Sequence, residues 1–500
     1  MRATRREWLG LAVLALPCLV YAIDLTVLNL AVPSLTADLH PSGAQLLWIV
    51  DVYGFTLAGS LITMGTLGDR IGRRRLLLIG AAAFTATSLI AAWTPSAAVL
   101  IAARAVQGVA GATIAPGTLS LIRTMFADPR QRTFAIGVWI TSYSAGAAVG
   151  PVLGGVLLEQ FWWGSVFLLA VPVMALLLVV GPRLLPEFRD PAPGRLDLLS
   201  AGLSLVAVLA AVYGLKQIAQ QGASGTAAGA VVLGLALGVT FVRRQQRLAD
   251  PFLDLRLFRR PAFTAALSSY TLGIFVLFGI DLFVGQYLQL VLGLSPLRAG
   301  LWVVPSALGL IAGSMVVPRL VNYVRPAVVM TAGAVVGAVG FALLAVRPGL
   351  ALIVVGTTVF SLGLAPVFTL ATDVVVGAAP EERAGAASAI SETGAELGGA
   401  LGIALLGSIG SAVYRSQEPS GLPGHGTLGD ALHSASNVGT PLLDAAREAF
   451  THGLQVTAAV CVAIVLASAV LTAMLLRRPS DEPEPVPVEP GLVDAEPVCC

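Results

Sequence analysis

Gly65-Thr66-Leu67-Gly68-Asp69-Arg70-Ile71-Gly72-Arg73-Arg74-Arg75 is a short charged turn set between two long apolar runs, 44–67 and 76–93. Crossing a hydrocarbon layer about 30 Å thick takes roughly 20 mostly apolar residues, and both runs are of that order. The glycines bend the chain tightly. A carboxylate and several guanidinium groups are thereby gathered at two helix ends, where they can pair with one another or with a neighbouring helix terminus, in contacts that can differ between two states.

The same punctuation extends along the whole chain. Of 500 residues, 56% are hydrophobic and only 12% charged, with mean hydropathy +0.85; a soluble domain carries about a quarter charged residues. That excludes a string of soluble domains, and the abundant aperiodic apolar residues and four cysteines exclude a disordered, collagenous or disulfide-stapled chain. What remains is an all-α polytopic membrane protein. Apolar runs of spanning length occur at 8–31, 44–67, 76–93, 97–121, 134–158 and 163–180, then at 198–215, 226–242, 263–287, 300–317, 326–346, 350–374, 384–414 and 453–476. This predicts fourteen spans. The first follows Arg2, Arg5 and Arg6 but contains Asp24, lacks a small-residue cleavage site and is too long for a secretory signal, so it reads as a retained helix.

Charge placement sets the orientation. With the N-terminus inside, 24 of the 30 Lys and Arg residues fall on the cytoplasmic side, four fall outside, and Arg104 and Lys216 lie within or at the end of spans. Both termini are therefore expected in the cytoplasm. The predicted organisation is a six-helix bundle over 1–190, two linker helices and a cytoplasmic loop over 191–260, and a second six-helix bundle over 261–478. Its external loop, 415–452, holds a short helix starting at Thr440-Pro441, and the acidic, proline-rich tail 479–500 is expected to be disordered. No His or Cys grouping has metal-ligand spacing, and no nucleophile or cofactor motif is present; a transporter rather than an enzyme is expected, with no metal and no cofactor.

Five carboxylates fall inside the predicted spans: Asp24, Asp51, Asp281, Glu392 and Glu396. Charge within a membrane is expensive and marks function or a paired role by default. Asp24, Asp51 and Arg104 lie at similar depth, and Arg104 reads either as a proton relay or as a structural partner. Glu392 and Glu396, four apart, share one helix face. An anionic excess in a dry cavity attracts cations, and exchange of protons for cations on the same carboxylates is the expected chemistry, with Asp24 and Glu392 the leading groups. Tyr53, Trp139, Tyr143 and Tyr270 are the candidate aromatic faces for a lipophilic cation, packing being the plainer reading of each.

Three motifs carry a family resemblance. The turn at 65–75, with Gly65, Asp69, Arg70, Gly72 and Arg73, resembles the loop signature of the major facilitator superfamily, and Arg104-Ala-Val-Gln107-Gly108-Val-Ala-Gly111 resembles its second motif. In the fifth span, Gly137, Gly146, Gly150-Pro151 and Gly154-Gly155 match its antiport motif, which implies export by antiport; spacing alone implies a tightly packed helix. The stretches 22–33, 48–53, 286–300 and 391–398 narrow the resemblance to the fourteen-span drug:proton antiporters. It implies a monomer in a bacterial cytoplasmic membrane, two six-helix bundles plus two linker helices, and proton-gradient-driven export of quaternary ammonium, ethidium or methyl viologen-type cations. A single-antibiotic exporter with the same coupling is the alternative, and nucleic acid is not an expected partner. One departure stands out: in the second-half copy of the loop signature, around Pro318-Arg319 and Arg325, the Asp is missing.

Overall fold

The computed structural model describes residues 3–189, 197–221, 224–248, 251, 255–346, 349–417, 428 and 440–475, and the described residues contain helices and no strand. The helices are α1 (Arg5–Leu39), α2 (Gly43–Ile71), α3 (Arg73–Trp93), α4 (Ala97–Gly111), α5 (Ile114–Met125), α6 (Pro129–Gln160), α7 (Ala170–Leu184), α8 (Leu198–Gln221), α9 (Gly225–Gln245), α10 (Pro261–Gln286), α11 (Pro296–Leu320), α12 (Pro326–Ala345), α13 (Leu350–Ala378), α14 (Ala384–Gln417) and α15 (Thr440–Leu475). Among the described residues thirteen segments are long and apolar enough to cross a membrane, α4 and α5 together forming one of them, and α8 carries a shorter apolar stretch, Leu199–Leu215. Large apolar side chains such as Ile79, Ile90, Val106, Val232, Leu235 and Val470 are exposed on the perimeter, as a lipid-facing surface requires.

Sequence order and packing reveal a repeat. In the first half α1 packs on α6 and α7, α2 on α4, and α3 on α4 and α7; in the second, α10 packs on α14 and α15, α11 on α13, and α12 on α13 and α15. These are the same neighbours in the same order, so the two halves are copies of one six-span unit. They meet along two related seams, α2 against α14 and α6 against α11. The linker helix α8 lies on the first of these, packing on both α2 and α14, with Tyr213 stacked on Trp48 at 6.3 Å between ring centroids.

Three expected spans differ in detail. The fourth is broken between α4 and α5 at Ala112-Thr113, because Pro116 has no N–H to donate to the Ala112 carbonyl and its ring crowds that group. The sixth begins as a 3-10 helix, Trp163–Leu169, before α7. The short helix expected at Thr440 is instead the start of α15, continuous to Leu475, and α14 runs on to Gln417, so both ends of the expected 415–452 loop are helical. The centre of that loop, apart from Leu428, and the 479–500 tail lie outside the described residues.

Candidate functional site

The arginine-rich ends of the two halves are held together at two points. At the first, Gly65 of α2 presses on the start of α14: a Cβ there would lie 2.5 Å from the Gly385 carbonyl oxygen and 2.6 Å from Ala389 Cβ, so only glycine admits this approach. One turn on, the buried Asp69 carboxylate accepts hydrogen bonds from the Gly385 and Ala386 amides (3.1 and 3.0 Å), at the positive end of the α14 dipole. It also accepts from Arg73 Nε (2.9 Å), whose guanidinium donates in turn to Thr124 Oγ1 and the Ser120 carbonyl and lies over the Phe188 ring. Gly72 turns the chain between α2 and α3 at φ +112°, and Arg70 sits half-buried beside it. The charged turn is thus a bridge between halves.

The second point was missed by sequence reasoning. Asp373 of α13 accepts from Arg132 Nε and Thr133 Oγ1 of α6, both at 2.6 Å. It is a sixth acid inside a predicted span, but it stands next to the last residue of the 350–374 run, where charge reads as an ordinary helix end.

Deeper in the first half, Arg104 is fully buried and donates to Asp24 Oδ2 at 2.7 Å and to Gln107 Oε1 at 3.1 Å. Gln107 Nε2 donates to Ser88 Oγ at 3.1 Å and reaches Asp24 Oδ1 at 3.4 Å. The guanidinium lies over the Tyr53 ring, 4.3 Å from its centroid, with the Phe167 ring at 5.6 Å. The depth match between Asp24 and Arg104 is therefore a direct ion pair, and Tyr53 packs on the protein's own cation. Asp51, the third residue expected at that depth, is half-buried on α2.

A separate acidic site lies where α14 faces the first half. Glu392 is 8% exposed, has the Tyr270 hydroxyl of α10 beside its carboxylate and leaves Oε1 with no hydrogen-bond partner. Glu396, one turn further along, is half-buried and within electrostatic reach of Glu392. Across the seam, both carboxylates are within electrostatic reach of Tyr143 of α6 and Tyr21 of α1, whose rings lie 5.9 Å apart. Trp139, on the same helix as Tyr143, is engaged elsewhere, its Nε1 donating to Thr118 Oγ1 at 2.9 Å. Of the four expected aromatics, Tyr143 and Tyr270 lie within electrostatic reach of both glutamates and Tyr53 within reach of Glu396, whereas Trp139 is engaged with Thr118; Tyr21 joins them without having been singled out. Asp281 stands apart: it is exposed on α10 and has no hydrogen bond or ion pair among the described residues. Asp24 thus belongs to an ion pair with Arg104, while Glu392 and Glu396 form a site of their own. Among the described residues no group of three His, Cys, Asp or Glu could hold a metal ion.

The glycines of the fifth span serve two contacts. A Cβ at Gly146, Gly150 or Gly154 would meet α1 at 2.2–2.4 Å (Leu19 O, Thr26 Oγ1 and Val27 Cγ2), whereas one at Gly137 would lie 3.0 Å from Ser314 O of α11 in the other half. Gly155 faces open space, and Pro151 lies within the same helix. Gly146→Leu is expected to force α6 off α1: overpacking costs typically 1–3 kcal/mol, and clash with backbone puts it at the upper end. A thermal-shift measurement on purified protein would show it as a lowered Tm, whereas Gly155→Leu should leave the Tm near the wild-type value.

Comparison with known proteins decides the family. The model of the Major Facilitator Superfamily matches residues 14–403. The chain belongs to the Major Facilitator Superfamily. It is 45% identical over 492 residues to the multidrug efflux pump LfrA of Mycolicibacterium smegmatis, covering 95% of this chain and 98% of that one. It is 34% identical to the methyl viologen resistance protein SmvA of Salmonella typhimurium (92% and 97% covered), and 31% identical to a tetracenomycin C resistance and export protein of Streptomyces glaucescens (97% and 94%). Among solved structures it is similar in fold to the human organic anion transporter MFSD10, with TM-score 0.61 over 94% of this chain and all of the other, at 16% identity. This member of the superfamily is a multi-pass membrane transporter.

Proposed function

We propose that the protein is a proton-coupled antiporter that exports lipophilic, mostly cationic compounds from the cytoplasm of a bacterial cell. The observation that carries this reading is the Glu392–Glu396 pair, two acids on one helix face at the seam between the halves, with Tyr21, Tyr143 and Tyr270 within electrostatic reach. Carboxylates supply charge and aromatic faces supply apolar and cation–π contact, the combination a lipophilic cation needs. The same carboxylates hold a proton when the cation has left, so binding of the two is mutually exclusive and the proton gradient drives export without a cofactor. The positive-inside count supports placing the arginine-rich ends, with both termini, in the cytoplasm. With Asp69 and Asp373 engaged, the described arrangement is the one closed on that side; rocking the halves about the glutamate site alternates access. Each chain holds a complete site, so a monomer suffices.

The names of the relatives at 45% and 34% identity, a multidrug pump and a methyl viologen resistance protein, favour this substrate class. A second reading, export of one antibiotic by the same coupling, is favoured by the tetracenomycin and puromycin resistance relatives at 31–32% identity. Ethidium accumulation in cells expressing the protein separates them. Reduced accumulation that a protonophore restores is the expected result; unchanged ethidium alongside resistance to a single neutral antibiotic would establish the second reading.

A further inference from the structure

The two seams of the repeat are not equivalent. At the α2–α14 seam the acid of the loop signature, Asp69, joins the halves by binding the first turn of α14. At the α6–α11 seam the matching position of the second copy is Pro318, followed by Arg319. There the structure has, in place of a carboxylate, an open crevice of about 350 Å³ lined by Trp8, Arg130, Gln131, Phe134, Pro318, Arg319 and Asn322.

Three features define what fits. Arg130, on the first turn of α6, and Arg319, on the last turn of α11, are both exposed and have no hydrogen-bonding or ionic partner for their side chains among the described residues. The nearby acids are otherwise engaged: Asp128 caps the Gln131 amide at 3.0 Å, and Asp373 is held by Arg132 and Thr133. Beside the arginines the wall is apolar, with the rings of Trp8 and Phe134 5.6 Å apart, and the crevice lies where the first turn of α6 meets the last turn of α11. A lipophilic cation would be repelled here. A group with a negative head and apolar tails is complementary on both counts, because guanidinium groups bind phosphate oxygens through charge-assisted hydrogen bonds.

We propose that this crevice binds the phosphate of an anionic phospholipid headgroup, held between Arg130 of the first half and Arg319 of the second, with its acyl chains along Trp8 and Phe134. The lipid adds a removable negative charge between α6 and α11, beside the fixed one that Asp373 of α13 supplies to Arg132 and Thr133. The proposal concerns lipid and not substrate, so its test reads no transport.

Full-length protein is reconstituted in phosphatidylcholine vesicles containing a minor fraction of either brominated phosphatidylglycerol or brominated phosphatidylcholine. Quenching of Trp8 is taken as the difference between the wild type and Trp8→Phe. Two arginines near a lipid surface predict a preference for the anionic lipid of about thirtyfold, and Arg130→Gln/Arg319→Gln removes it while leaving quenching by phosphatidylcholine in place. Should the double variant not insert, Arg319→Gln alone, on the exposed end of α11, is read in the same way and is expected to lower the preference. Equal quenching by both lipids in the wild type, or an unchanged preference in the variants, overturns the proposal. So does loss of the preference in excess inorganic phosphate, which would identify a site for the free anion.

Discussion

Glu392→Gln is expected to reduce proton-coupled efflux of a lipophilic cation to that of protein-free vesicles while the protein still folds and inserts. Glutamine keeps the shape and an acceptor oxygen beside the Tyr270 hydroxyl, but it holds neither a proton nor a compensating charge. Two unit charges 4 Å apart interact by about 4 kcal/mol at an effective dielectric of 20. At about 1.4 kcal/mol per tenfold, that bounds the lost affinity near three orders of magnitude. Solvent reaching the half-buried Glu396 lowers the figure for that position, so Glu396→Gln should weaken cation affinity less than Glu392→Gln. Fluorescence titration of purified variants with ethidium would test the ranking, and equal affinities in wild type and Glu392→Gln would remove Glu392 from the site.

Asp24→Asn is expected to act chiefly through stability. In the structure Asp24 neutralises Arg104, a cation buried beside Tyr53 and Phe167. Removing one partner of a buried ion pair costs about 3–5 kcal/mol, because the other charge is left uncompensated. The asparagine variant should therefore lose most of its folded, membrane-inserted population and its transport together. Adding Arg104→Gln removes the stranded charge and should restore much of the thermal stability. If Asp24→Asn were as stable as wild type yet inactive, Asp24 would itself carry the coupling charge, the role the sequence assigned to it first.

That contrast marks how far the sequence could be read. Span positions were legible because a bilayer imposes one length and one polarity on every crossing. The signature turn and the glycine-rich fifth span were legible because close backbone approach, as at Gly65 and Gly146, admits no side chain. The existence of buried acids was equally plain, but not their partners. Depth along two helices placed Asp24 near Arg104, yet helix rotation decides which charges touch, and packing between helices sets rotation. For the same reason Tyr53 and Tyr143 read alike in sequence, although only one of them stacks on Arg104. Asp373 escaped notice because its position at the end of an apolar run gives no sign of Arg132 and Thr133, some 240 residues away in sequence. The break at Ala112 was not expected in the continuous 97–121 run, although Pro116, four residues on, is its physical cause.

The central claim, that one site exchanges protons for a lipophilic cation, is tested most directly by proton flux in proteoliposomes carrying a pH-sensitive dye. Adding ethidium to a sealed, wild-type preparation poised with a proton gradient should move protons in the direction opposite to the cation, and Glu392→Gln should abolish that flux. Cation transport by the wild type without any accompanying proton movement, or undiminished proton flux in Glu392→Gln, would contradict the account.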